Sequence, residues 1–421
     1  MSLPEVNAED SLEFLSKFIQ IPSHSRSPAE IDAVKYITAA LNDIGIEADS
    51  PEFNDKTDGM LRCNSIGVWK GTGKNPDAKK LLFNGHVDVN PVTEGWTVDP
   101  YGGIYHKEKE YKIGDDKWIY GIGVSNMKSG CCAYYMAVKT LIENGWKVSN
   151  DVTLTYVVGE LQGGVGTVAL LEQNRITKDT ADYFINCEPT DVYALIMHAG
   201  SAIFEINIIG DTRHMSKREE ATDAIFCAME AIQKLTYMTF SSPRTDVHKS
   251  INRCHVGTIH GGLGRNYEDW RPPQVADFVT IKGAARYAPG QTEEIVLEDL
   301  RRELESVKEK YPKMKFELKQ VKHDFMPPFE VDPQAEIVQK LNECYKSVRG
   351  VDQPTGALRP PCFYGSDAGH LYEKLGMQGI VCGPGGKFNT MPDERVDIID
   401  YLDTIRMFMK IIVDICGGYK E

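Results

Sequence analysis

The sequence predicts an α/β fold with a largely parallel sheet, interrupted by an inserted α+β domain. In both end regions of the chain, apolar strand segments alternate with amphipathic helical segments, which is the pattern of a parallel sheet covered by helices. Between them the order becomes strand–helix–strand–strand–helix–strand, which is typical of a small open-faced sandwich. The chain has 421 residues, which is too long for one ordinary core. We therefore predict two domains.

The amino-terminal region starts with two amphipathic helices, at residues 9–20 and 28–46, and the second has Pro at its start and Gly at its end. The segment KKLLFNGHVDV then predicts a buried strand that runs into a polar turn, and residues 127–145 predict a helix. The remaining elements are a strand in DVTLTYVVGE, a helix in TVALLEQN and a short strand in ADYFINCEP.

From about residue 196 the predicted elements are the strand SAIFEINIIGD, the helix EEATDAIFCAMEAIQKL, the strands CHVGTIHGG and ADFVTIKGAARY, the helix TEEIVLEDLRRELESVKEKY and the strand FELKQVKHD. The α/β pattern then returns in PQAEIVQKLNECYKSV, GIVCGPG and the terminal helix YLDTIRMFMKIIVDIC. We therefore predict a discontinuous α/β catalytic domain at residues 1–195 and 323–421. The inserted domain is predicted at residues 196–322.

Composition excludes several classes of function. The net charge of −14 repels nucleic acid and anionic membrane, so neither is a predicted partner. No run of eighteen apolar residues occurs, and the polar, acidic start lacks the features of a signal peptide. We predict a cytoplasmic protein whose ten cysteines are free and mostly buried thiols.

His86 and Asp88 stand at the end of the predicted buried strand, in GHVDV. Residues two apart on a strand point the same way, so the carboxylate can fix the tautomer of a metal-binding imidazole or face the metal itself. A turn that holds a satisfied His–Asp pair is the structural alternative.

Eight blocks in order carry a wider resemblance: GHVDV with GWTVDP, YGIGVSNMKSG, VVGELQGGVGT, NCEPT, GDTRHMS, GGLGRN, RYAPGQT, and GPGGKFNTMPDE. The chain resembles the zinc aminoacylase family of acetylornithine deacetylases, succinyl-diaminopimelate desuccinylases, glutamate carboxypeptidases and related dipeptidases, over about residues 10–415. The resemblance implies hydrolysis of an amide by water at two zinc ions that share a bridging Asp, with a Glu as general base. It also implies a homodimer formed through the inserted domain.

Four residues match the family's catalytic positions. His86 matches a zinc ligand, Asp88 its supporting carboxylate, Glu160 the general base and Glu188 an acidic zinc ligand. The carboxylate at position 160 is therefore the predicted acid/base.

Three other positions depart from the family. Asn126 stands where the family has the bridging Asp, and Leu161 where it has a Glu ligand. The last His of the family falls on Thr390, or on Asn389 or Met391 if the alignment shifts by one, and none of these replaces an imidazole. A neutral amide is a poor bridge between two dications, and Leu cannot bind metal. We expect no resident cofactor. A single zinc or other divalent ion at His86, Glu188 and Asn126 is the alternative, with Cys362 or His370 as recruited ligands.

The substrate-contacting positions of the family are retained. His214 matches a His that reaches the partner's active site and steadies the oxyanion. Asn266 and Arg286 match positions that hold polar groups of the substrate, and Arg265 is a further candidate for a carboxylate. The remaining substrate-binding candidates are Asn126, Asp367 and the backbone N–H groups near Gly385.

Three functions remain open from the sequence. The first is metal-independent acid/base chemistry by Glu160 on a small amino-acid-like carboxylate, such as cyclisation, elimination, isomerisation or hydrolysis of an activated bond. The second is a single-metal amidohydrolase of the deacylase or dipeptidase type. The third is a non-catalytic binding protein.

Overall fold

The computed structural model describes residues 2–107, 110–111, 114–357 and 364–421. These residues form two compact units. The first comprises the described residues within Met1–Met197, Glu330–Leu358 and Ser366–Glu421, and the second those within His198–Phe329 and Arg359–Gly365.

In the described part of the chain the α-helices are α1 (Ala8–Ile19), α2 (Ala29–Asp43), α3 (Ser129–Glu143), α4 (Val165–Glu172), α5 (Ala224–Thr236), α6 (Asp246–Ile251), α7 (Glu293–Lys310), α8 (Glu336–Arg349), α9 (Ala368–Leu375) and α10 (Ile398–Cys416). None of these helices is both long and apolar enough to cross a membrane.

The strands of the same residues are β1 (Glu47–Asp49), β2 (Glu52–Asn54), β3 (Leu61–Cys63), β4 (Ser65–Trp69), β5 (Leu81–His86), β6 (Trp118–Tyr120), β7 (Val152–Val157), β8 (Tyr183–Asn186), β9 (Ala194–Leu195), β10 (Met197–His198), β11 (Gly200–Ile209), β12 (Arg253–Gly262), β13 (Phe278–Tyr287), β14 (Lys315–Met326), β15 (Phe329–Glu330), β16 (Thr355–Gly356), β17 (Gln378–Val381) and β18 (Arg395–Asp397).

The first unit contains an eight-stranded sheet in the order β1-β4-β7-β5-β8-β17-β9-β16. Its central pairs, β7 with β5, β5 with β8 and β8 with β17, are parallel. Every residue of β5 is buried, and α10 packs against α3 and α8. The predicted α/β fold with a largely parallel sheet is confirmed. Strand β5 ends at His86, so this imidazole lies at the carboxyl edge of the sheet.

The second unit contains an antiparallel sheet in the order β12-β13-β11-β14. The apolar residues of β11, including Phe204, Ile206 and Ile208, form one core with the buried faces of α5 and α7. The order β11, α5, β12, β13, α7, β14 is the open-faced sandwich that the sequence predicts, with the short helix α6 added between α5 and β12.

Two features of the first unit differ from the prediction. The second helix ends at Asp43 instead of residue 46, because Gly45 takes a left-handed φ of 81° and the chain turns there. The short strands β1 to β4, β6, β9, β16 and β18 were not predicted. The nine cysteines within the described residues are free and buried, as predicted. Cys362 lies outside those residues.

Candidate active site

His86 and Asp88 form a fixed pair at the end of β5. Both side chains are fully buried. Nδ1 of His86 lies 2.9 Å from the backbone oxygen of Asp88 and 3.4 Å from its Oδ1. Both partners are acceptors, so Nδ1 carries the proton and Nε2 faces away from the strand. This is the tautomer in which a metal-binding histidine presents Nε2 to the ion.

Two acidic side chains face Nε2 of His86. Oε2 of Glu160 lies 3.8 Å from it and Oε1 of Glu188 lies 3.7 Å from it. Ligand atoms of the three residues lie within 4.8 Å of one another, and all three side chains are buried. Glu160 stands on the turn after β7, and Glu188 follows β8. Because β7, β5 and β8 are neighbouring parallel strands, their carboxyl ends bring the three groups together.

Asn126 is the fourth residue of this cluster. Its Oδ1 lies 3.0 Å from Nε2 of His86. The contact pairs a donor with an acceptor when the imidazole is doubly protonated. In the neutral imidazole, a half-turn of the amide lets Nδ2 donate to Nε2 instead. With its oxygen toward Nε2, the amide offers a neutral ligand atom to an ion bound there.

The cluster is rich in carboxyl groups and poor in positive charge. Burial, reinforced by Glu188, raises the pKa of Glu160 well above its usual value. Burial likewise raises the pKa of Glu188 to about 7, although His86 opposes this rise. Burial disfavours the charged imidazole, but Glu188, Asp88 and Glu160 outweigh it and raise the pKa of His86 well above its usual value. A bound cation would relieve this crowding of negative charge.

Glu394 holds the loop that carries Asn126, and the sequence analysis did not assign it a role. Its carboxylate accepts hydrogen bonds from the backbone N–H groups of Gly123, Ser125 and Asn126, at 3.1, 2.9 and 2.9 Å. Burial nevertheless raises its pKa to about 7. Its position in TMPDE was the available signal, but its partners lie more than 260 residues earlier.

The structure places two departures from the family at the edge of the cluster. Leu161 is half-buried, and its backbone N–H donates to Oδ2 of Asp88 at 3.4 Å. Thr390 is exposed and has a left-handed φ of 51°. The neighbouring Asn389 instead contacts the hydroxyl of Ser125 through Oδ1. Leu161 and Thr390 therefore add no metal-binding side chain beside His86.

Asp367 and His370 lie at the start of α9 and are buried. Asp367 accepts a hydrogen bond from Asn84 at 3.3 Å, and its charge adds to the rise in the pKa of Glu160 and Glu188. Nε2 of His370 lies 2.7 Å from the backbone oxygen of Gly163, so its ring supports the turn after Glu160. Gly385 is buried so closely against Ser125 that a Cβ added to the glycine would clash with the serine hydroxyl.

The other predicted site residues belong to the second unit. His214 is exposed, and its Nδ1 accepts from the backbone N–H of Ser216 at 3.3 Å. Asn266 is exposed, and Arg286 lies on β13 opposite Ser201 of β11. Arg265 is bound to Glu317 at 2.7 Å and stacks on Phe278. The substrate roles of these four residues stay predictions.

The donor set fits one divalent ion. It offers one imidazole nitrogen and two carboxylates, with the oxygen of Asn126 beside them. Oε1 of Glu188 is buried and has no hydrogen-bond partner among the described residues, as a ligand atom kept for a cation would be. Within those residues, no other group of three or more His, Cys, Asp or Glu side chains has metal-binding spacing. Among the described residues, Leu161 and Thr390 offer no ligand for a second ion.

Comparisons with known proteins found related sequences that span most of the chain. The profile of peptidase family M20/M25/M40 matches residues 82–414. The acetylornithine deacetylase of Myxococcus xanthus is 24% identical over 96% of this chain and 97% of its own length. A succinyl-diaminopimelate desuccinylase of Wolbachia pipientis is 27% identical over 65% of this chain, and the match spans 64% of that relative.

The fold recurs in solved structures. A tripeptidase from Staphylococcus aureus superposes with a TM-score of 0.75, at 18% identity, over 98% of this chain and all of its own. The yeast dipeptidase Dug1p from Saccharomyces cerevisiae also gives 0.75, at 13% identity, over 96% of each chain. These likenesses concern the fold, whereas the profile match covers most of the sequence. The chain is therefore an enzyme of peptidase family M20/M25/M40, the amide hydrolases whose members normally use zinc or another divalent metal.

Proposed function

We propose that the protein hydrolyses the amide bond of a small N-acyl amino acid or dipeptide, with one divalent ion held by His86, Glu188 and Asn126. The observation that carries this proposal is the buried cluster around Nε2 of His86, in which carboxyl groups outnumber cationic partners and Oε1 of Glu188 lacks a hydrogen bond. When bound, the ion would polarise the amide carbonyl and acidify the attacking water.

The chain's own residues supply the proton transfers and their alignment. Glu160 accepts a proton from the attacking water and passes it to the departing amine. Burial raises its pKa well above the usual value, and a cation bound at His86 and Glu188 would favour its ionised, proton-accepting form. Asp88 holds the imidazole of His86 in one tautomer and also accepts the backbone N–H of Glu160 at 3.3 Å. One residue thus contacts both groups: its backbone oxygen and Oδ1 face Nδ1 of His86, and its carboxylate accepts the N–H of Glu160.

The substrate class follows from the relatives and from the predicted contacts. The relatives include deacetylases, desuccinylases and the N-formyl-4-amino-5-aminomethyl-2-methylpyrimidine deformylase of Halalkalibacterium halodurans, which is 24% identical over 97% of this chain. Their names share the removal of an acyl group from an amine. Arg286, Asn266 and Arg265 are the proposed contacts for a substrate carboxylate, and Arg265 would have to leave Glu317 to make one.

Removing the ion tests the proposal. We expect the purified protein to bind one equivalent of zinc, manganese or cobalt by mass spectrometry, and dialysis against a chelator to abolish hydrolysis. Adding back one equivalent should restore it. The substrates are a panel of N-acetyl, N-formyl and N-succinyl amino acids and dipeptides, and the rate is followed by release of the free amine.

Two outcomes would contradict the one-ion proposal. Full activity in the metal-free protein would favour the metal-independent alternative, in which Glu160 and His86 exchange protons without a Lewis acid. The 3.8 Å between these two residues is the observation that supports that alternative. Binding of two equivalents, with activity proportional to the second, would show a dinuclear centre.

We further propose that the protein is a cytoplasmic homodimer formed through the second unit, with His214 serving the partner's active site. Helix α5 exposes Ile225, Phe226 and Met229, at 42%, 51% and 59% of their surface, and β12 is an edge strand of its sheet.

We expect sedimentation velocity to show a dimer for the wild type and for Gln334→Glu, an exposed control, and a monomer for Met229→Glu. A monomeric wild type at assay concentration would remove the role given to His214.

A further inference from the structure

A one-way chain of hydrogen bonds runs from a buried arginine to the carboxylate of Asp88, whose Oδ1 lies 3.4 Å from Nδ1 of His86. We call it the relay, and its members are Arg62, Gln162, Ser25 and Asp88. Nη2 of Arg62 donates to Oε1 of Gln162 at 2.8 Å. Nε2 of Gln162 donates to Oγ of Ser25 at 2.5 Å, and this hydroxyl donates to Oδ2 of Asp88 at 3.0 Å.

The direction of the relay is fixed at both ends. A guanidinium can only donate and an ionised carboxylate can only accept, so the amide of Gln162 has one allowed orientation between them. With its nitrogen toward Ser25, the amide leaves the single hydroxyl proton free for Asp88. Turning the amide over would set two donors face to face at Arg62 and take the hydroxyl proton away from Asp88.

Arg62 is itself held in place. Its side chain is 1% exposed and lies within ion-pair distance of Glu30, Asp55 and Asp58, at 3.3, 3.2 and 3.2 Å. A Cβ added to Gly159 would come within 3.1 Å of its Nη1, so the guanidinium packs directly on the residue before Glu160. Three carboxyl groups and the backbone at Gly159 thus surround the buried guanidinium.

The far end of the relay reaches both catalytic groups. Asp88 accepts the backbone N–H groups of Glu160 and Leu161, at 3.3 and 3.4 Å, as well as facing Nδ1 of His86. Gln162 is the last residue of the same short turn, Glu160–Gln162. The turn that carries the base is therefore hydrogen-bonded to both Asp88 and Arg62.

We propose that Arg62 is a positioning residue of the active site, which acts through the relay to fix His86 and Glu160. The proposal rests on the proposed function, because that function uses these two groups. It does not place Arg62, Gln162 or Ser25 in contact with substrate. Their effect is on the orientation and hydrogen bonding of the residues that do the chemistry.

The side-chain N–H of His86 provides a readout that needs neither metal nor substrate. Nδ1 faces only acceptors, so it carries a proton in every charge state of the ring. In protein labelled with ¹⁵N-histidine, this proton gives an NMR signal that is assigned by its loss in His86→Gln. Its exchange with water reports how firmly Asp88 holds the ring. Affinity for zinc, measured by calorimetry, is the second readout.

Two small substitutions break the relay without removing a buried charge. Ser25→Ala deletes the middle hydroxyl. Gln162→Glu keeps the acceptor for Arg62 but offers a second oxygen to Ser25, which then turns its proton away from Asp88. For each we expect about tenfold faster exchange of the His86 N–H and about tenfold weaker zinc binding. Ser149→Ala, which removes a hydroxyl bound to the backbone oxygen of Gly417 at 2.8 Å, should change neither.

A double variant tests whether Arg62 acts along this route. Arg62→Lys keeps the charge but loses the planar fork. If Arg62 works through Gln162, the pair Arg62→Lys with Gln162→Glu should be no worse in N–H exchange than the worse single variant. Additive effects would overturn the route, and unchanged exchange in Ser25→Ala would overturn the proposal. A wild type that binds no metal but shows the expected exchange changes would refute the proposed function and leave the relay standing.

Discussion

Replacing Glu160 with Gln should lower kcat for amide hydrolysis by about 10²- to 10⁴-fold, because the amide cannot take the proton of the attacking water. The change is nearly isosteric and removes a carboxyl group that burial already disfavours in its charged form, so we expect the fold to persist. The variant should still bind one equivalent of ion through His86 and Glu188. Steady-state kinetics at saturating ion, with stoichiometry by mass spectrometry, measure both.

The matched control is Glu172→Gln, the same substitution at an exposed residue paired with Lys56 at 2.7 Å. A surface pair of this kind contributes little, so kcat and KM should stay at the wild-type values. Two results would contradict the role of Glu160. An unchanged kcat would remove it from catalysis, and joint loss of the ion and of activity would make it a ligand instead of the base.

Replacing Glu188 with Gln should have opposite effects on stability and on ion binding. In the absence of metal we expect the variant to be more stable than the wild type at pH 8, by on the order of 2 kcal/mol. Burial raises the pKa of Glu188 to about 7 from an ordinary 4.5, so the folded state carries the cost of its ionisation at pH 8. Part of that gain is lost to burying the new amide and to removing a partner of His86.

The stability difference between Glu188→Gln and the wild type should depend on pH. A carboxyl group whose pKa is raised by folding binds its proton more tightly in the folded state, so its contribution to stability falls as pH rises from 4.5 to about 7 and is constant above that. Urea denaturation in a chelator should therefore show a larger difference between variant and wild type at pH 8 than at pH 5. An equal difference at the two values would contradict it.

Added ion should reverse the ranking. At a concentration of 100 times its Kd, zinc should stabilise the wild type by about 2.7 kcal/mol and leave Glu188→Gln almost unchanged. Glu336→Gln, a substitution of the carboxylate that accepts the phenol of Tyr183 at 2.7 Å, is the control and should respond to zinc as the wild type does. Equal stabilisation of Glu188→Gln would exclude Glu188 as a ligand.

The sequence predicts those parts of the fold in which burial requires a run or a regular spacing of apolar residues. All six residues of β5 and of β7 are buried, and α3, the α-helix between them, is buried at 12 of its 15 residues. Strands β1 and β2 have three residues each and none is buried, so no apolar pattern marks them. Their pairing partners, not their own sequences, make them strands.

The same contrast holds in the site. His86, Asp88, Glu160 and Glu188 stand in short blocks next to buried strands, so their residue types and positions were predictable. Glu394 and Arg62 were not, because each acts on residues far away in sequence: Arg62 binds Gln162, 100 positions later. Nothing local to Arg62 distinguishes it from a surface charge, and Glu394 has only its place in TMPDE as a signal. The role of each residue appears only when the sheet brings the loops together.

The hydrogen bonds between Glu394 and the loop at residues 123–126 also bear on how this site could change during evolution. Since three backbone N–H groups fix the loop, its course does not depend on which side chain stands at position 126. Asn and Asp have almost the same shape, so a single codon change exchanges a neutral ligand for an anionic one without remodelling the backbone. The charge of the site can therefore change by one unit through a single substitution at position 126, while the backbone stays the same.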